Sequence, residues 1–218
     1  MRYTALSSKH YSNNRQRFAS RMKEKGLAIF TSNDIYPTSA DGTLPFKQHS
    51  DIFYLTGVDQ EETLLILFPD ATNPAHREML FVRETNDHIA VWEGHKYTKE
   101  EARAASGIQT IMWTEDIPAV IPMLMNHCMN VYVNLNENDR FASEVPYKEL
   151  RFSNEMKAKY PAHFFHRSGP IMAQLRAIKS DFEIQVMQRA IDITEKADRK
   201  STRLNSSHSS VSRMPSSA

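Results

Sequence analysis

Short β-prone runs that are apolar at successive positions alternate along this chain with stretches carrying helix signals, and this alternation restricts the fold more than any other feature. Residues 27–30, 63–68, 79–83, 109–113 and 130–135 read as strands, as do the aromatic run 52–55 and the segment 88–92. Between them lie predicted helices. The first covers residues 12–25, with Phe18 and Met22 four apart and Gly26 as its C-terminal cap. A second, 98–105, opens with Thr98 and Glu101 at capping-box spacing and closes at Gly107. Residues 116–129 form a third, where Pro118 is tolerated in the first turn, and 145–160 a fourth. Ser168, Gly169 and Pro170 introduce a short one that ends at Arg176. Strands interleaved with helices imply an α/β domain: a largely buried mixed sheet flanked by helices.

The remainder of the chain reads differently. Ser180 and Glu183 make a second capping box, followed by Ile184, Met187, Ile191 and Thr194 along one face of a long amphipathic helix. That pattern is lost after Asp198. Residues 199–218 are rich in serine, contain four basic side chains and no acid, and show no apolar period. The expected organisation is therefore an α/β domain over 1–178, one helix over 179–198, and a disordered tail foreign to the domain over 199–218.

Several function classes are set aside by composition and motif. Without the basic tail the chain is mildly acidic and shows no basic face, which argues against nucleic acid as a partner. Its apolar runs, such as 64–68 and 121–125, are far shorter than a membrane-spanning helix requires. The first twenty residues contain no apolar stretch of the kind a secretory signal uses, and the single cysteine, Cys128, can form no intrachain disulfide. Both point to the cytoplasm. No glycine-rich phosphate loop, His-Glu-x-x-His helix or serine nucleophile elbow is present. His163 and His166 are three apart and could share a metal, or could be ordinary packing and surface histidines. Cys128 reads as a half-buried small hydrophobe, since a catalytic thiol needs an organised base beside it.

The distinctive string runs from Asp41 to Gly57, Asp-Gly-Thr-Leu-Pro-Phe-Lys-Gln-His-Ser-Asp-Ile-Phe-Tyr-Leu-Thr-Gly. Physically it is a turn-rich loop leading into an aromatic strand that stops at a glycine. It resembles the signature of the aminopeptidase P amino-terminal domain through Phe46, Gln48, Ser50, Asp51, Tyr54, Leu55, Thr56 and Gly57, with Lys47 where arginine is usual. Two further landmarks follow in the family's order. Residues 89–94 resemble its Trp-x-Gly segment, and 175–184 resemble the Leu-Arg-x-Ile-Lys-Ser-x-x-Glu-Ile lead-in to its catalytic domain.

The resemblance covers residues 12–198. It implies an amino-terminal domain cut off before a pita-bread catalytic domain, in which five side chains hold two manganese ions that activate water against an Xaa-Pro bond. All five ligands would lie beyond Lys200, so the fragment alone is expected to be inactive and to bind no metal, while the full-length parent would be a metalloaminopeptidase. In this family the amino-terminal domain joins neighbouring subunits of a homo-oligomer and restricts access of peptide substrates. By motif position Trp92 and Asp41 resemble the residues that reach a neighbour's active site. Two bland alternatives stand beside them: Asp41 could stabilise its own turn, and Trp92 could be core. The whole chain could also be a stand-alone peptide- or protein-binding module, or a fragment of a prolidase-type dipeptidase.

Overall fold

The computed structural model describes residues 6–138, 140 and 144–205. They divide into two compact units between Arg176 and Ala177. The first unit is built on six strands: β1 (Gly26–Thr31), β2 (Leu64–Leu67), β3 (Glu78–Val82), β4 (Thr110–Trp113), β5 (Asn130–Val133) and β6 (Phe164–Arg167). Their order in the sheet is β4-β3-β2-β1-β5-β6. β2 is antiparallel to both β1 and β3, whereas the β1·β5, β3·β4 and β5·β6 pairs are parallel. Every strand except β2 therefore ends at the same edge of the sheet.

Helices cover both faces, which is why the central strands are apolar at successive positions. In β1, Ala28 and Phe30 join Phe18 of α1 (Ser8–Ala19), Ile52 and Leu55 of α2 (Ser50–Thr56), Ala102, and Met172. Leu27 and Ile29 point the other way, into a cluster with Leu124 and Met125 of α5 (Ile117–Met125) and with Met156. The α/β architecture with a helix-flanked mixed sheet is as the sequence implies.

Four local expectations are corrected. The first helix is Ser8–Ala19 rather than 12–25, and Gly26 opens β1 instead of capping a helix. The left-handed turn is made by Lys25, with φ 51°. The run 52–55 is helical: α2 buries Ile52, Leu55 and Thr56, spaced three and four apart, and ends at Gly57 with φ 70°. The segment 88–92 lies in another helix, α3 (Asp87–Glu93), which Gly94 follows with φ 78°. The short edge strand β6 has no counterpart in the sequence reading. The capping box at Thr98 and Glu101 does form, at the start of α4 (Lys99–Ser106), and Gly107 closes that helix with φ 76°.

One buried cation ties these helices together. Arg15 of α1, 1% exposed, donates through Nη1 to the carbonyls of Leu55 (2.8 Å) and Ser106 (2.9 Å), and its Nη2 lies 3.0 Å from Glu78 Oε2. Leu55 and Ser106 are at the C-terminal ends of α2 and α4, where carbonyls lack intrahelical donors and the dipole favours a cation. Asn14 adds a bond from Nδ2 to the Tyr54 carbonyl at 3.0 Å. Tyr11, one turn earlier, fills the space beside Gly57, where a Cβ would stand 2.2 Å from its ring.

The opposite face holds a buried acid. Glu149 lies in α6 (Lys148–Lys159), is 5% exposed, and has one carboxylate oxygen without a hydrogen-bond partner among the described residues. Burial pushes its carboxyl up to about 7, with Asp34 adding to the rise and Lys148 and Arg151 opposing it.

The second unit contains α8 (Asp181–Asn205), which extends past Asp198. Ser180 and Glu183 cap it reciprocally, Ser180 N donating to Glu183 Oε2 at 2.8 Å and Glu183 N to Ser180 Oγ at 3.3 Å. The tail expected over 199–218 is corrected at its start, where 199–205 continue α8, and 206–218 lie outside the described residues.

Two outcomes follow from these placements. Arg15→Met leaves two helix-end carbonyls and Glu78 unmatched, so urea unfolding should lose about 3 kcal/mol; a loss under about 1 kcal/mol would mean the carbonyls find other donors. For Glu149 the folded value near 7 exceeds its ordinary value of 4.5. Its contribution is therefore fully present below about 4.5 and lost as pH rises through about 7. Glu149→Gln should raise the thermal midpoint relative to the parent, and the gain should grow from about pH 5 to pH 8. A gain independent of pH would contradict the buried-carboxyl account.

Candidate functional site

Loops leaving the edge where five strands end carry both residues singled out above. In sheets of this kind that edge is where ligands and partners are met, because loops there are free to vary while the strands fix their bases. Asp41 stands at the tip of a small hairpin between β1 and α2. Pro37 and Thr43 form a bridge, Thr38 N donates to Gly42 O (2.8 Å), Gly42 N to Ser39 O (3.0 Å), and Leu44 N to Tyr36 O (2.9 Å). These bonds are all backbone to backbone, and Asp41 is exposed. The turn does not depend on its carboxylate.

Trp92 lies in α3, after β3, and is 79% exposed, with Val91 beside it at 78%. It is not core. The topology puts Trp92 and Asp41 at one sheet edge, on separate loops.

The signature residues face inward instead. Gln48 is buried and donates from Nε2 to the carbonyls of Val58 (3.2 Å) and Gln60 (2.7 Å), while its Oε1 accepts from His49 N (2.9 Å). His49 precedes α2 and accepts from Asp51 N through Nδ1 at 3.2 Å. Burial lowers the His49 pKa; Asp51 opposes that and Arg176 reinforces it. Asp51 Oδ1 accepts from Arg176 Nη1 at 2.7 Å, Ser50 Oγ lies 3.1 Å from the same nitrogen, and Tyr54 OH donates to the Leu175 carbonyl at 3.4 Å. Two landmarks more than a hundred residues apart thus meet in space, at α7 (Gly169–Ala177). Arg176 was missed as a partner of Asp51, although its place in the third landmark was a signal that the two strings answer one another.

The remaining candidates resolve as packing groups. Cys128 is buried, and burial pushes its thiol up to about 11, the reverse of what a nucleophile needs. His163 Nε2 lies 2.9 Å from the Met125 carbonyl and His166 Nε2 2.7 Å from Asn130 Oδ1, so each histidine is engaged separately. Among the described residues no three His, Cys, Asp or Glu side chains gather to hold a metal. No described helix is long and apolar enough to cross a membrane. An open cleft of about 720 Å³, lined by Lys25, Asp70, His76, Met123 and His127 among others, lies at the opposite sheet edge, away from Asp41 and Trp92.

The Asp51–Arg176 pair gives a direct test. With the Asp51 side chain 13% exposed and Arg176 43%, Asp51→Asn should cost about 1–2 kcal/mol in urea unfolding. It should also speed trypsin cleavage after Arg176 under native conditions; an unchanged cleavage rate would show that the pair does not hold the end of the first unit.

Comparison with known proteins agrees with this fold. The family model described as aminopeptidase P, N-terminal domain matches residues 11–132. The Xaa-Pro aminopeptidase of Escherichia coli is 25% identical over 195 residues, covering 88% of this chain and 44% of that protein. Human Xaa-Pro aminopeptidase 3 is 24% identical over 171 residues, 78% of this chain and 33% of the relative. The chain thus spans less than half the length of these relatives. Among solved structures, the Pseudomonas aeruginosa aminopeptidase aligns with TM-score 0.74 at 23% identity, covering 90% of this chain and 44% of that one. The low-pH form of Escherichia coli aminopeptidase P gives the same TM-score of 0.74 at 23% identity, over 89% and 44%. With more than half of its residues matched by the family model, the chain belongs to the aminopeptidase P N-terminal domain family.

Proposed function

We propose that this chain is the non-catalytic part of a manganese-dependent Xaa-Pro aminopeptidase, joining subunits into a homo-oligomer and restricting access of peptides to a neighbour's active site. The observation that carries this reading is the presentation of Trp92. An indole that is 79% exposed, on a short helix at the sheet edge where the strands end, contributes little to its own domain. It is suited to lie against an apolar group brought by a partner.

The chemistry fits a peptide whose second residue is proline. A flat indole gives the pyrrolidine ring an apolar wall, and the exposed Asp41 carboxylate at its hairpin tip can accept hydrogen bonds from a free α-amino group. In the parent enzyme two manganese ions would supply the activated water. The part assigned to this chain is confined to gripping and excluding: Asp41 orients the peptide's amino end, Trp92 contacts its second residue, and the domain as a whole limits which chains can enter.

Purified chain with added manganese is expected to hydrolyse no Xaa-Pro peptide, and to sediment as more than a monomer. Turnover that a chelator abolishes would overturn the non-catalytic assignment. A monomer at the highest soluble concentration would remove the oligomerisation role.

A further inference from the structure

The excursion over residues 83–98 carries Trp92, and α3 within it is only seven residues long. A helix of that length does not hold itself in water. Val91 and Trp92 give it no packing, being exposed. Its start is capped by Asn86, whose Oδ1 accepts from Ile89 N at 2.9 Å, and the rest of what fixes it comes from the two legs of the excursion.

On the outgoing leg, Arg83 grips the last residue of α3. Its Nη2 donates to Glu93 Oε1 at 2.8 Å and its Nη1 lies 2.6 Å from Glu93 Oε2, a two-bond fork of fixed direction. The same guanidinium has Nε 3.6 Å from Glu62 Oε2. Glu62 is held with φ 53°, a left-handed conformation unfavourable for a residue with a Cβ. On the returning leg, Lys96 pairs with Glu61, both side chains nearly buried, and Tyr97 N donates to Gln60 Oε1 at 2.6 Å. Gln60 is itself fixed through its carbonyl by Gln48. Three consecutive residues, Gln60, Glu61 and Glu62, thus receive both legs of the excursion.

We propose that Arg83 is a positioning residue: clamped between Glu62 and Glu93, it sets the orientation of α3 and so the presentation of the Trp92 indole. The proposal rests on the reading of Trp92 as a group offered to a neighbour. It assigns to the signature, through Gln48 and Gln60, a share in aiming that group.

The test uses the whole chain and needs neither partner nor peptide. In a Trp113→Phe background, where Trp92 is the only indole, Arg83→Gln should increase the fast local component of Trp92 fluorescence anisotropy decay. Hydrogen exchange in the unaltered background should show amides of residues 88–93 exchanging about fivefold faster, with the thermal midpoint moving by no more than about 2 °C. Glu93→Gln should do the same, and the double variant should add little further. Unchanged Trp92 motion and exchange in both single variants would overturn the proposal. So would a loss of protection spread evenly over the domain, which would make Arg83 a general stabiliser. Both measurements are made at a dilution where the chain sediments as a monomer, so a failure of Trp92 to contact a neighbour would leave them standing, and their failure would leave that contact open to its own test.

Discussion

The architecture depends on a guanidinium taken out of water. A buried arginine is tolerated where strong acceptors and an opposite charge meet it: Arg15 Nη1 donates to the Leu55 and Ser106 carbonyls, and the Glu78 carboxylate stands beside Nη2 as an ion-pair partner, while Nε has no hydrogen-bond partner among the described residues. Those acceptors belong to α2, α4 and β3, elements far apart in the chain. One side chain of α1 therefore sets where two helix ends and a strand must come together. Both helices leave that point through left-handed glycines, Gly57 and Gly107. At Gly57 the missing side chain is also the space that Tyr11 fills.

Anchoring the end of α2 in this way has a consequence for the signature string, most of which lies on that helix and just before it. With α2 fixed from one side, its start is free to clamp in two directions. Gln48 holds the segment at Val58 and Gln60, which receives the Trp92 excursion. Ser50, Asp51 and Tyr54 hold Leu175 and Arg176, where the first unit ends. The signature is a joint rather than a binding surface; the exposed groups are the ones it supports.

How much of this was legible in the sequence depended on length and solvent. Strands such as β2, with all four residues buried, were readable because consecutive β-prone apolar side chains suit a strand covered on both faces. The helix α2 was misread because Ile-Phe-Tyr-Leu is β-prone and four residues cannot separate a period of two from one of 3.6. What decides it is tertiary: Arg15 at its C-terminal end and the left-handed Gly57. The same shortness hid α3, whose supports lie in Glu62 and Arg83, outside the segment itself. β6 escaped notice because an edge strand with two exposed ends shows no apolar pattern. Trp92 and Asp41 were found only by resemblance, since exposure is a property of the fold and leaves no mark in local composition.

That exposure is also the strongest physical argument about the site. An indole buries about 150–250 Å² when covered, and at roughly 25 cal/mol per Å² leaving the exposed 79% of Trp92 in water forgoes about 3–5 kcal/mol. A domain in which Leu27, Phe30, Ile66 and Phe81 are all nearly inaccessible does not lack for ways to cover a side chain. Here the opposite is done: a seven-residue helix is steadied by Arg83–Glu93 and Lys96–Glu61 so that its largest side chain faces outward. Free energy left unrealised within the fold can be recovered only by a surface that the fold does not contain, and the supports of α3 make sense as the means of keeping that recovery specific to one approach.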